Sequence, residues 1–113
     1  MPKVEIVQSL IKQILKTFSK SESDKVLDLI ENLEQNPHKG KLIGTVGGIA
    51  IKEIKYKKFR FYCICDGHKL RTLNEEKLVD LLFRFVRMSE KSDQQKVIDE
   101  IRGILLKIGP AGL

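Results

Sequence analysis

Residues 49–65 read IAIKEIKYKKFRFYCIC, and this stretch decides what fold the chain can adopt. Ile54, Tyr56, Phe59, Phe61, Tyr62 and Ile64 are residue types that suit a pleated, half-buried surface. Ile49–Lys55 and Phe59–Cys65 therefore predict two strands that reverse at Tyr56–Lys58. No Asn-Gly turn marks the reversal, so the register stays open. Lys52, Lys55, Lys57, Lys58 and Arg60 stand against a single Glu53. The apolar residues can anchor a sheet in a core. The cations must then project into solvent or a groove, where they attract a polyanion. Strand alternation sets Lys52 opposite to Glu53 and Lys55, and places Arg60 and Tyr62 on one face. The competing explanation is a charged face that keeps the sheet soluble and blunts an edge.

Upstream, Val4–Val7 is short and β-branched, enough for one strand. Leu10, Ile11, Ile14, Leu15 and Phe18 then fall on one helical face, and Val26, Leu27, Ile30 and Leu33 resume that spacing after an interruption at Ser19–Ser23. Either a helical hairpin or one bent helix fits, with the hairpin favoured. Ser23 or Ser21 can cap the second helix, with Asp24 in its first turn, and Asn36–Pro37 stops it. The stretch HKGKLIGTVGG, with Gly40, Gly44, Gly47 and Gly48, reads as a loop or the irregular start of a strand.

Downstream, Asp66–Gly67 signals a turn. Lys69–Leu73 reads as a further strand arm, and Asn74–Glu76 as another turn. Leu78–Met88 reads as a strand, because Phe83 and Phe85 alternate around Arg84. As an odd-even pair, Arg84 and Arg87 are expected on opposite faces. Ser92-Asp93-Gln94-Gln95 offers a capping box. Val97, Ile98, Ile101, Ile104, Leu105 and Ile108 follow as a helical stripe that Gly109–Pro110 ends. Strands linked by short turns predict an α+β domain over residues 1–113, with a small, mostly antiparallel twisted sheet, an N-terminal helical hairpin and a C-terminal helix.

The chain has 113 residues, 42% hydrophobic and 32% charged, which fits one globular domain able to bury about two-thirds of its unfolded surface. A net charge of +6 and a pI near 9.4 favour acidic partners. No apolar run approaches the roughly 20 residues a membrane span needs, and MPKVEIVQSL does not resemble a signal peptide. The expected location is the cytoplasm, with no membrane partner. Cys63 and Cys65 are the only cysteines and imply no disulfide framework.

Chemistry-bearing motifs are few. There is no P-loop, GxGxxG, HExxH or GxSxG, and GTVGG lacks the lysine and spacing of a phosphate cradle. His38 and His68 read as ordinary surface residues. Cys63, Cys65, Asp66 and His68 lack a second thiol pair to complete a tetrahedral site, so they read as core thiols and a turn, with no metal. Glu75–Glu76 reads as a solvated turn.

Three segments resemble the RelE/ParE superfamily of toxins, in its HigB-like, phage-derived branch. VLDLIENLEQNPHKGKLIG (Val26–Gly44) is similar to the family's second helix, its Asn-Pro stop and its Gly-Lys-Leu entry to the sheet. KEIKYKKFRFYCI (Lys52–Ile64) is similar to a Glu-Leu-Arg strand, a turn and an aromatic-Arg-aromatic strand. FVRMSEKSDQQKVIDEI (Phe85–Ile101) is similar to the Phe-Val-Lys-Lys stretch and the helix after it.

That resemblance implies a toxin paired with an antitoxin protein, acting as a ribosome-associated mRNA endoribonuclease that needs no cofactor. The RNA 2′-hydroxyl attacks the neighbouring phosphate to give a 2′,3′-cyclic phosphate, and cations stabilise the charge on phosphorus. By this resemblance Arg60 is the phosphate clamp and Lys55 and Arg87 are supporting cations. Lys52 is a base if its pKa is depressed, and Tyr62 is a proton donor. Lys57, Lys58, Arg84 and Lys91 are RNA contacts. The chain departs from the pattern in three places. Met88 replaces a second basic residue, Gly67–Lys77 lengthens a connection, and no Tyr or His follows the last strand. These departures support the alternative: a catalytically inactive relative that binds RNA or a protein partner. The fold alone does not imply cleavage, since relatives poison gyrase instead.

Overall fold

The computed structural model describes residues 2–73 and 79–113. It is an α+β domain built on a five-stranded mixed sheet. In chain order come β1 (Lys3–Ile6), α1 (Gln8–Thr17), α2 (Lys20–Glu31), β2 (Lys41–Val46), β3 (Ile49–Tyr56), β4 (Phe59–Asp66), α3 (Gly67–Thr72), β5 (Leu82–Glu90) and α4 (Gln94–Lys107). The sheet order is β1-β5-β4-β3-β2. β1 runs parallel to β5, and the other neighbours are antiparallel. Among the described residues no helix is long and apolar enough to cross a membrane.

The expected hairpin forms with Lys57 and Lys58 as its two turn residues. The register the sequence left open pairs Lys55 with Arg60 and Tyr56 with Phe59. Lys57 sits at φ 52, a left-handed conformation costly for a residue with a Cβ. The ring of Phe18, at the end of α1, packs edge-on against Tyr56 at 5.9 Å and Phe59 at 4.7 Å. Offset aromatic contacts of this kind add to area burial and fix the turn to the helical layer.

Alternation of side chains across the strands builds two cores. On one face Ile54, Phe61, Phe83 and Phe85 meet Leu10 and Ile14 of α1 and Val26 and Ile30 of α2. On the other, Ile51, Tyr62, Ile64 and Val86 meet Ile98, Ile101 and Leu105 of α4. Each fully buried side chain of this size stabilises by about 2 kcal/mol against exposure. The sheet is thus covered by helices on both sides.

Several local expectations need correction. α2 starts at Lys20, because Ser19, not Ser21 or Ser23, caps it by accepting from the Glu22 N–H; Ser23 is buried. The glycine-rich stretch, left open between a loop and the irregular start of a strand, is the latter: it contains β2, paired with β3 through a bulge at Ile43. Gly47 and Gly48, at φ 55 and 85, are the two turn residues between these strands, as tight hairpins favour. Lys69–Leu73 is not a strand arm. The Asp66 carboxylate accepts from the His68 and Lys69 N–H groups and starts α3, with Leu73 as its C-cap. β5 begins at Leu82 rather than Leu78. Asn74–Glu76 and Leu78 lie outside the described residues. The capping box does not form either: Lys91–Asp93 is a 3-10 turn, and Asp93 precedes α4 without a side-chain cap bond.

Candidate nucleic-acid surface

Parity along β3, β4 and β5 brings Lys55, Arg60, Tyr62 and Arg87 to the α4 side of the sheet. Lys55 pairs with Arg60, and Tyr62 pairs with Arg87. A bulge explains why Arg84 joins them there. The ladder steps from Tyr62↔Arg87 to Cys63↔Phe85, so Val86 is the extra residue and the alternation resets. Arg84 and Arg87 therefore share a face, contrary to their odd-even spacing.

Sharing a face does not leave Arg60 or Tyr62 available. Arg60 is 6% exposed and Glu53 7%. Arg60 Nε lies 3.2 Å from Glu53 Oε1, and its Nη1 donates to the carbonyls of Lys57 at 3.1 Å and Phe59 at 2.9 Å. Gln94, at the start of α4, donates to the other Glu53 oxygen at 2.6 Å. A buried guanidinium needs such a partner, because an unpaired charge there costs several kcal/mol. Arg60 is thus an internal ion pair roofed by α4, not an open clamp.

Tyr62 is fully buried and shares a hydrogen bond with Ser89 at 2.8 Å. Burial pushes its phenol pKa up; the Ser89 bond pulls partly the other way. Arg87 donates from Nε to Glu100 of α4 at 2.9 Å and from Nη1 to the Val86 carbonyl at 2.8 Å.

Lys52 stands apart on the opposite face. Its Nζ donates to the Pro37 carbonyl at 2.9 Å and lies 5.3 Å from the Phe83 ring centroid. Desolvation lowers its pKa, while Cys63 and Cys65 beside it act the other way. A lowered pKa is what a lysine base needs, but a side chain 4% exposed beneath the α2–β2 connection does not reach the face that holds Arg60. Cys63 and Cys65 are free and buried and His68 is exposed; among the described residues no His, Cys, Asp and Glu group could hold a metal ion.

Among the candidate site residues, the exposed cations lie at the hairpin end. Lys55, Lys57, Lys58 and Lys91 are all exposed. The Lys91 N–H donates to the Lys58 carbonyl at 2.7 Å, which fixes the start of the α4 turn beside the hairpin turn. Lys57 pairs with Glu22 at 2.8 Å and Lys58 with Glu90 at 3.0 Å. Pairs this exposed are weak in water and readily exchange partners. Arg84 lies near the other end of the strands, beside Pro110.

The fold adds four partners that the sequence pattern does not assign: Glu53, Ser89 and Glu100 engage Arg60, Tyr62 and Arg87, and Gln94 donates to Glu53. Glu53 carried a signal: it is the one acid in the cationic stretch, on the face of Lys55. Gln94, Ser89 and Glu100 carried none, since only the packing of β5 and α4 brings them there. No family model matches the chain, and no curated protein and no solved structure matches it either.

Proposed function

We propose that this chain is a RelE/ParE-like protein that binds RNA through the lysines at the hairpin end and does not cleave it in this conformation. The carrying observation is the division of the cations. Lys55, Lys57, Lys58 and Lys91 are exposed at one end of the sheet, whereas Arg60, Tyr62 and Lys52 are buried and already bonded. Flexible exposed ammonium groups exchange weak intramolecular pairs for phosphates at little cost. A buried guanidinium held by Glu53 and two carbonyls does not. The helix pair α1–α2, the antiparallel strands after it and the resemblance of the three segments support the family reading. That reading brings a ribosomal RNA context and an antitoxin as protein partner.

A second reading, the mRNA endoribonuclease, is favoured by one observation: Lys55, Arg60, Tyr62 and Arg87 lie on one face of adjacent strands. It requires Arg60 to exchange Glu53 for a phosphate. Incubating the purified protein with ribosomes and a bound messenger RNA separates the two. Intact RNA with retained binding supports the binding protein. Fragments ending in 2′,3′-cyclic phosphate, lost in Arg60→Lys, support the nuclease and overturn the first reading.

A further inference from the structure

At the end of the sheet away from the hairpin turn lies a cleft of about 300 Å³, at the small end of volumes found for ligand sites. Its apolar walls include Ile49, Ile64, Leu82 and Pro110, and Arg84 also lines it. The Arg84 Nε is shut off from solvent and has no hydrogen-bond partner among the described residues. The Glu5 carboxylate comes only to 3.8 Å, beyond hydrogen-bonding reach, and the Nη1 contact to the Pro110 carbonyl is long at 3.4 Å. The Arg84 side chain as a whole is 31% exposed, but a single donor nitrogen shut off from water without an acceptor is costly and rare in a finished fold.

The acids around the cleft do not fill that role. Asp66 spends its Oδ1 on the α3 backbone, and Asp80 is exposed. Lys69, also in the lining, is a second cation at the exposed margin. We infer that this cleft binds a small carboxylate with a short apolar chain, the carboxylate on Arg84 and the chain against Ile49, Ile64 and Leu82. A planar guanidinium suits a carboxylate because it offers two parallel N–H donors.

The test is titration of the labelled protein with hexanoate, followed through the arginine Nε–H and backbone amide signals, with hexylamine as control. Saturable shifts of the Arg84 Nε–H and of the Ile49 and Ile64 amides are expected with hexanoate and not with hexylamine. Arg84→Lys keeps the charge but loses the paired donors, and weakens binding about tenfold or more. Leu82→Trp leaves Arg84 in place, fills the apolar wall at a half-exposed position, and blocks binding. Equal binding of hexylamine, no saturable shift, or full affinity in Leu82→Trp overturns the proposal. Lys57→Ala/Lys58→Ala leaves hexanoate binding unchanged, so this site and the RNA surface can fail separately.

Discussion

Among single residues, Arg60 and Glu53 are the most consequential pair, and their worth is stability. Arg60→Ala leaves a buried carboxylate with only Gln94 as partner and should cost about 3 kcal/mol in urea denaturation. Glu53→Leu/Arg60→Met removes both charges and should cost less than either single change, because the penalty is that of the orphaned charge. Loss of an activity in Arg60→Ala would therefore not by itself assign a catalytic role. Lys57 behaves in the opposite way. Its φ of 52 suits glycine, so Lys57→Gly should hold or raise stability by up to about 1 kcal/mol while weakening RNA binding. Equal losses in both would mark Lys57 as structural.

At the scale of elements, the chain's patterning foretold β1, α1, the β3–β4 hairpin and α4, because each carries a clean period and buries its apolar side accordingly. It left open, or missed, what pairing and capping decide. β2 is held by its ladder to β3 despite its glycines, and α3 forms because Asp66 satisfies two amide groups that a turn would leave open. The bulge at Val86 is invisible to a strict two-residue period, yet it decides which face Arg87 takes. Gly40 shows how the β2 entry depends on glycine: at φ 93 an added Cβ would sit 2.6 Å from Ile54 Cδ1 and 2.7 Å from the Glu53 carbonyl oxygen. Gly40→Ala should cost about 2 kcal/mol or more, against about 1 kcal/mol for Ser19→Ala at the α2 cap. Thermal or urea unfolding orders the two.

Over the whole molecule, two cores on opposite faces leave most charge to the periphery but place the Arg60–Glu53 pair, two thiols and one ammonium inside. Burial pushes Cys65 up to about 11 and Cys63 higher still. The unfolded chain therefore releases these protons first, and stability falls as pH rises from about 8.5 toward 11. Lys52 acts the other way. Its lowered pKa means the unfolded chain holds more protons until about pH 10.4, which adds stability with rising pH. Two thiols against one ammonium leave a net decline, and Cys65→Ala should make it shallower in pH-dependent denaturation. The candidate site was legible only in part for the same global reason: the sequence shows which residues are cationic, but only the packing of α4 shows which of them face water.

The central claim, that the exposed lysines at the hairpin end bind RNA, is tested most directly by the salt dependence of affinity for a short single-stranded RNA. With four phosphate-neutralising lysines, log affinity should fall against log salt with a slope of about −3, and of about −1.5 in Lys57→Ala/Lys58→Ala. A slope near zero, or the wild-type slope retained in the double variant, would contradict it.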